Sequence, residues 1–325
     1  MPRSRWPAGP EAAPGAPPDE GRRRLLRLAA GAGALAALPG WARPQATAPR
    51  PQEGRMQTRS TPRTGEPLPV IGLGTWQAFD VGASEAERAP RREVLRLLFA
   101  AGGRLVDSSP MYGRAEAVVG DLLRGRPEQR TAYVATKVWT TGRAEGEAQM
   151  AESERRMGGR LDLVQVHNLQ DWKTHLPTLR AWKRAGRIRH VGITHYALSA
   201  LGELEQIVRR EEIDFVQLPY SAGVREAEAR LLPACQERGA AVIVMRPFEQ
   251  GDLLRRLRGR PLPGWATEGG AASWAQLLLQ FILSHPAVTV AIPATSKPEH
   301  MEDNARAGAL PPLTAEARKR LLAEL

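Results

Sequence analysis

From residue 64 onward, short runs of Val, Ile and Leu alternate with stretches whose apolar positions recur every three or four residues. The runs predict strands at 69–74, 104–109, 132–138, 161–168, 188–194, 213–220, 240–246 and 288–294. Most are continuous rather than alternating, as expected of parallel strands covered on both faces. The periodic stretches predict helices at 88–101, 114–124, 145–157, 175–185, 199–211, 226–238, 273–284 and 297–306. "RREVLRLLFAAGG" has the helical spacing and stops on glycines, and Ser199 stands where a helix N-cap is expected. Eight strand–helix units in this length predict an α/β protein, a (β/α)8 TIM barrel. A doubly wound open sheet is the alternative, but no G-x-G-x-x-G follows an early strand. The longest irregular connection, 247–270, follows the seventh strand and is expected to lie over a ligand at the C-terminal face. "TAEARKRLLAEL" predicts a further helix at the C-terminus.

Residues 1–63 differ from the rest in composition and are assigned to a leader, with the barrel domain at 64–325. The first 21 residues are rich in Pro, Gly, Ala and charge and would bury no core. Then "GRRRLLRLAAGAGALAALPGWARPQATA" resembles a twin-arginine export signal, with a cleavage site at Ala46–Ala48. The apolar run Leu28–Leu38 is too short for a membrane span. Periplasmic delivery is therefore expected, with a cytoplasmic product as the alternative if translation starts at Met56.

Charge alters this picture little. The net +11 divides into +7 for residues 1–63, which hold eleven arginines against four acids, and +4 for the other 262 residues. Basic clusters are not interleaved with aromatics and no nucleic-acid-binding signature is present, so a nucleic-acid partner is not expected. The single cysteine, Cys235, has no second thiol to bridge or to build a zinc site with, and it reads as a small buried residue of a helix.

Polar residues gather at the C-terminal ends of the predicted strands. Asp107 ends the second, with Tyr112 just beyond it in "LVDSSPMYGRAE". Lys137 lies near the end of the third, and His167 ends the fourth. Each alone has a structural explanation as a cap, a solvent-reaching lysine or a packed histidine. In a barrel, however, these ends converge on one mouth. A phenol is a poor proton donor or acceptor at neutral pH, and a neighbouring ammonium lowers its pKa. Lys137, held by Asp107, is expected to do so for Tyr112, while His167 orients a carbonyl. No side chain supplies a hydride, so a nicotinamide cofactor is expected.

In their order, "VIGLGTW", "VDSSPMYG", "VATKVW", "VQVHN" and "IPATSKPEHMEDN" resemble the aldo-keto reductases over roughly residues 64–310. The resemblance implies an NAD(P)H-dependent oxidoreductase that reduces an aldehyde or ketone. Tyr112 would be its general acid, with Asp107 and Lys137 tuning that acid and His167 orienting the carbonyl. It further implies NADPH, with NADH use left open, held by Gly74, Thr75, Trp76 and Asp107 near the nicotinamide and Gln217 at the carboxamide. Thr194-His195 stands where the family has Ser-Asn, and Met245-Arg246 where it has a ring-stacking tyrosine. Met245 is expected to pack on the nicotinamide and Arg246 to pair with the pyrophosphate. Thr295, Ser296, Lys297 and His300 are expected around the 2′-phosphate, and Asn304 at the adenine. Trp76, Trp139 and Trp265 would form an apolar wall for small or hydrophobic carbonyl compounds, with His167 and Asn168 touching substrate. A monomer is expected. The altered residues His195 and Met245 motivate a competing expectation, a catalytically weak cofactor sensor on the same barrel.

Overall fold

The computed structural model describes residues 55–325, so the arginine-pair leader and its cleavage site lie outside the described residues. The described chain opens on an antiparallel hairpin, β1 (Thr58–Ser60) and β2 (Pro67–Pro69). Eight parallel strands follow: β3 (Leu73–Gly74), β4 (Leu105–Asp107), β5 (Tyr133–Val138), β6 (Leu163–His167), β7 (His190–Thr194), β8 (Phe215–Pro219), β9 (Ala241–Met245) and β10 (Val288–Ala291). Each pairs with the next in chain order. Parallel bridges Ile71↔Ala291 and Gly74↔Ala294, with Gly72 N–H donating to Ala291 O at 2.9 Å, join the first barrel strand to the last. The architecture is the (β/α)8 barrel.

The strands read as continuous apolar runs because both faces are covered. Outward side chains pack against the helices in a large apolar cluster. Inward ones form a second cluster that includes Leu105, Tyr133, Leu163, Phe215, Ala241 and Val290. Leu68, from the hairpin, joins that inner cluster and is fully buried. The fold thus starts before residue 64. Met56 is buried, Gln57 N–H donates to Gly308 O at 2.8 Å, and β1 pairs with β2, so residues 56–63 floor the barrel rather than extend the leader. Three-residue strands carry too little periodicity to be read from sequence.

Helix Glu85–Ala100 starts three residues earlier than its periodicity predicts, because Ser84 caps it by accepting from Glu87 N–H. It closes as expected, with Gly102 at φ 90°. Ser199 does not cap its helix; it lies within a 3-10 turn, Leu198–Ala200, that leads into Leu201–Arg210. The 247–270 connection is not irregular. It folds into a 3-10 turn at Glu249–Gly251 and short helices at Asp252–Arg256 and Gly264–Glu268. The C-terminal helix forms at Ala315–Glu324. Cys235 is buried in helix Leu231–Arg238, where burial pushes its thiol up to about 12, leaving it inert at neutral pH. No helix of the described residues is long and apolar enough to cross a membrane.

Candidate active site

Inward positions alternate along each strand, and alternate strands fill successive interior layers. The lower interior is mostly apolar, with His190 2.7 Å from the Tyr133 hydroxyl as its polar member, and the upper part is polar, carrying Asp107, Lys137, Gln165 and Gln217. Lys137 Nζ donates to Asp107 Oδ2 at 2.6 Å and to Ser108 O at 2.7 Å. Gln165 Nε2 donates to Asp107 Oδ1 at 3.1 Å and Gln217 Nε2 to Oδ2 at 3.3 Å. Gly192 makes the room for Gln165: a Cβ there would lie 2.8 Å from Gln165 Cγ. Gln165 and Gly192 were not anticipated from sequence, although Gln165 shares inward parity with His167 two residues later.

Tyr112 follows β4 on a tight loop. Its N–H donates to Ser109 O at 3.0 Å, and Gly113 turns the chain at φ 61°. Arg114 then ties the loop to the one after β3, its N–H and Nε both donating to Asp80 Oδ1 at 3.1 Å. Lys137 Nζ stands 5.0 Å from the centroid of the Tyr112 ring. Burial pushes the phenol above its ordinary value, against the pull of Lys137 and with Asp107 adding to it. The sequence expectation of a lowered phenol pKa is therefore corrected, because desolvation outweighs the ammonium whose charge Asp107 offsets. For Lys137, burial favours the neutral amine, but Asp107 and Tyr112 overcome it and hold the ammonium above its usual range.

His167 sets its ring edge-on to Tyr112, centroids 5.8 Å apart at 84°. Burial, with the charges of Lys137 and His195, drives its pKa down to about 2, so the imidazole is neutral. Ser109 Oγ lies 2.9 Å from its Nδ1 and already accepts from Met111 N–H at 3.3 Å. When the serine donates to Nδ1, the imidazole proton sits on Nε2 and His167 is a donor toward a ligand oxygen. Ser109 holds the His167 ring through this contact, a role its place in a proline turn does not reveal.

A cavity of about 1050 Å³ opens at this face, just above the roughly 300–1,000 Å³ usual for small-molecule sites. It brings together Gly74, Thr75, Trp76, Asp107, Tyr112, His167, Asn168, Thr194, Gln217, Met245, Arg246, Thr295, Ser296, Lys297, His300 and Asn304. Lys137 lies directly behind Asp107, fully buried. Three expected residues are elsewhere. His195 is turned aside, its Nδ1 accepting from Ala197 N–H at 3.0 Å, and Tyr196 lines the cavity in its place. Trp139 stays outside the wall, with its ring centroid 6.4 Å from that of His167. Trp265, on its short helix, packs against the outer apolar cluster, and Trp274 lines the cavity instead. Phe248 and Leu254, from the folded 247–270 segment, complete an apolar side.

The cavity suits an elongated, partly polar ligand. Gln217 Oε1 and Asn168 Oδ1 are buried acceptors without a hydrogen-bond partner among the described residues, and both residues line it. At the far end, Lys297, His300 and Asn304 recur at helical spacing along one side of Pro298–Ala307, with Lys297 at its N-terminus. A nicotinamide dinucleotide fits this distribution of unpartnered acceptors and basic residues.

All seven non-glycine residues with positive φ among the described residues lie at this face: Gln77, Asn168, Leu169, Asp171, Arg246, Glu249 and Gln250. Such conformations cost about 1–3 kcal/mol each and gather at functional sites. Their confinement to the loops after β3, β6 and β9 marks this mouth as the working end.

The sequence model described as "Aldo/keto reductase family" matches residues 70–323. Methylglyoxal reductase YeaE of Escherichia coli is 30% identical over 250 residues, covering 73% of this chain and 84% of its own. The NADH-specific methylglyoxal reductase of the same organism is 26% identical over 234 residues, covering 61% and 69%. A Klebsiella pneumoniae aldo/keto reductase solved with NADP and acetate superposes with a TM-score of 0.69 at 27% identity, over 83% of this chain and 95% of that one.

Proposed function

The chain belongs to the aldo/keto reductase family and is an oxidoreductase; from that premise we propose that it reduces the carbonyl of a small aldehyde or ketone, with Tyr112 as the proton donor. NADP(H) is the cofactor, as in the Klebsiella pneumoniae relative. The observation that carries the reading is the convergence of Tyr112, Lys137, Asp107 and His167 at one end of one cavity. A reduced nicotinamide, when bound, supplies the hydride that no side chain can. His167 Nε2–H and the Tyr112 hydroxyl hold the carbonyl oxygen. Tyr112 Oη delivers its proton to that oxygen as negative charge develops there. Lys137, kept charged by Asp107, steadies the phenolate that remains until solvent reprotonates it. Gln217 and Thr194 would meet the carboxamide, and Lys297, Thr295, Ser296, His300 and Asn304 the adenosine phosphate end. Trp76, Met111, Phe248 and Leu254 surround the substrate with apolar surface, which favours small aldehydes of the kind the methylglyoxal reductases are named for.

The test is fluorescence titration with NADPH and NADH, followed by turnover of a carbonyl panel including methylglyoxal. NADPH oxidation that depends on the carbonyl supports the reading. Tight cofactor binding with no turnover across the panel overturns it in favour of a sensing barrel. The twin-arginine-like leader supports export of the folded protein to the periplasm. N-terminal sequencing of the mature protein from its native host tests that, a start just after Ala48 agreeing and a start at Met56 refuting it.

A further inference from the structure

Arg246 stands apart from the other charged groups of the cavity. It directly follows β9 with φ 54°, and its guanidinium carbon lies 4.8 Å from the centroid of the Tyr196 ring. Tyr196 in turn stacks on His195, with centroids 5.4 Å apart at 21°. Among the described residues no carboxylate pairs with this half-buried guanidinium. The two acids that line the cavity are both engaged, Asp107 by Lys137 and Asp303 by Ser273 Oγ at 2.6 Å and Gln276 Nε2 at 2.7 Å. An arginine held on an aromatic face, with its donors toward a cavity and no internal counterion, is arranged to receive an oxyanion.

Two sources of oxyanion are conceivable, the cofactor's diphosphate and the substrate itself; the contact with Tyr196 favours the substrate. Tyr196 lies two residues beyond Thr194, which pairs with His167 across β6 and β7. The guanidinium therefore rests over the end of the strand next to the one that carries His167. Its charge also reaches the Tyr112 phenol, where it favours the ionised form.

We propose that Arg246 makes this site selective for carbonyl compounds that carry a carboxylate or phosphate a few bonds from the carbonyl. The guanidinium pairs with that anion while His167 and Tyr112 hold the carbonyl oxygen. Tyr196 is a positioning residue that keeps the guanidinium over the cavity. The inference rests on the carbonyl-reductase reading and names the substrate class for that same site.

A matched pair of probes, 4-oxobutanoate and butanal, tests it with the full-length protein and NADPH. The measured quantity is the ratio of kcat/KM for the anionic over the neutral aldehyde, in which any change in cofactor binding or folded fraction cancels. The wild-type ratio is expected above one. It should fall about ten- to a hundredfold in Arg246→Gln, the range for losing a charged hydrogen bond, and only partly in Arg246→Lys. Tyr196→Phe should preserve the ratio and Tyr196→Leu lower it. Turnover of butanal with a ratio unchanged by Arg246→Gln, together with weaker NADPH binding, assigns the arginine to the diphosphate and overturns the proposal alone. Failure of the wild type to reduce either aldehyde overturns the carbonyl-reductase reading beneath it.

Discussion

Lys137 Nζ sits 2.6 Å from Asp107 Oδ2 with both side chains almost wholly removed from solvent, at 1% and 2% exposure. A buried pair of this kind gains little over an apolar replacement, yet removing one partner costs about 3–5 kcal/mol because the other charge is stranded. In the proposed reaction the pair serves chemistry rather than stability. Lys137→Met should therefore unfold at markedly lower denaturant and lose turnover. Lys137→Met with Asp107→Asn, which strands no charge, should recover much of the stability but none of the turnover. Denaturant unfolding and kcat, measured on all three proteins, separate the two effects. A double variant that regains activity would show the pair to be structural.

Tyr112→Phe is the cleaner probe of the proton donor, since it removes one oxygen and no charge. Reduction should fall by about 10²–10⁴-fold, the usual contribution of a positioned acid. NADPH affinity and the unfolding midpoint should stay close to wild type. Turnover retained within a few-fold would remove Tyr112 from the reaction.

The protonation states have a readable pH signature. Burial holds the Tyr112 phenol protonated beyond its ordinary value of 10.0. Reduction should therefore show no loss from a deprotonated donor through neutral pH and fall only in strong alkali, whereas alcohol oxidation, which needs the phenolate, should climb with pH. His167 acts on stability instead. Its folded pKa, about 2, is below the ordinary 6.5, so the unfolded chain binds the extra proton between those values. Its contribution is fully present above pH 6.5 and is lost as pH falls, at up to about 1.4 kcal/mol per pH unit. Unfolding midpoints from pH 7 to pH 4 should decline less steeply in His167→Gln than in wild type.

The barrel and its polar mouth were legible because both rest on local signals. Continuous Val/Ile/Leu runs mark doubly covered strands, and Asp107, Lys137 and His167 end three of them in succession. The remaining features depend on packing across the chain. Gln165 reads as an ordinary strand residue until Gly192, on the neighbouring strand, clears space for it. Ser109 reads as part of a bend until His167 arrives beside it. His195 and Tyr196 could not be told apart by position alone: one extra residue past a strand decides which faces the cavity, and the Ala197 amide draws His195 away. The direction of the Tyr112 shift is hidden from sequence because burial, which sequence does not display, is its largest cause.

Gly113 offers a test of how tightly the donor loop must be held. At φ 61° a Cβ would lie 2.5 Å from the Asp80 carboxylate, the group that anchors Arg114. Gly113→Ala should cost about 1–3 kcal/mol of stability and displace Tyr112 enough to lower kcat by about tenfold to a hundredfold. Adding Asp80→Ala removes the collision and should not restore the rate, because the Arg114 anchor goes with it. Kinetics of the single and double variants, with unfolding midpoints beside them, measure both effects.

The barrel floor supplies the complementary case. Leu68 reaches from the hairpin into the inner cluster with Leu105, Tyr133, Leu163 and Phe215, at the opposite end of the strands from Asp107 and Lys137. Leu68→Ala deletes apolar contacts that no neighbour can replace, since the surrounding residues are ring and branched side chains already fully buried. It should destabilise the protein by about 2–5 kcal/mol. Because the polar layer above keeps its hydrogen bonds, kcat per folded molecule should be unchanged well below the unfolding temperature. A loss of kcat at that temperature would mean that the floor of the barrel sets the geometry of the Tyr112 site, coupling the two ends through the inner cluster.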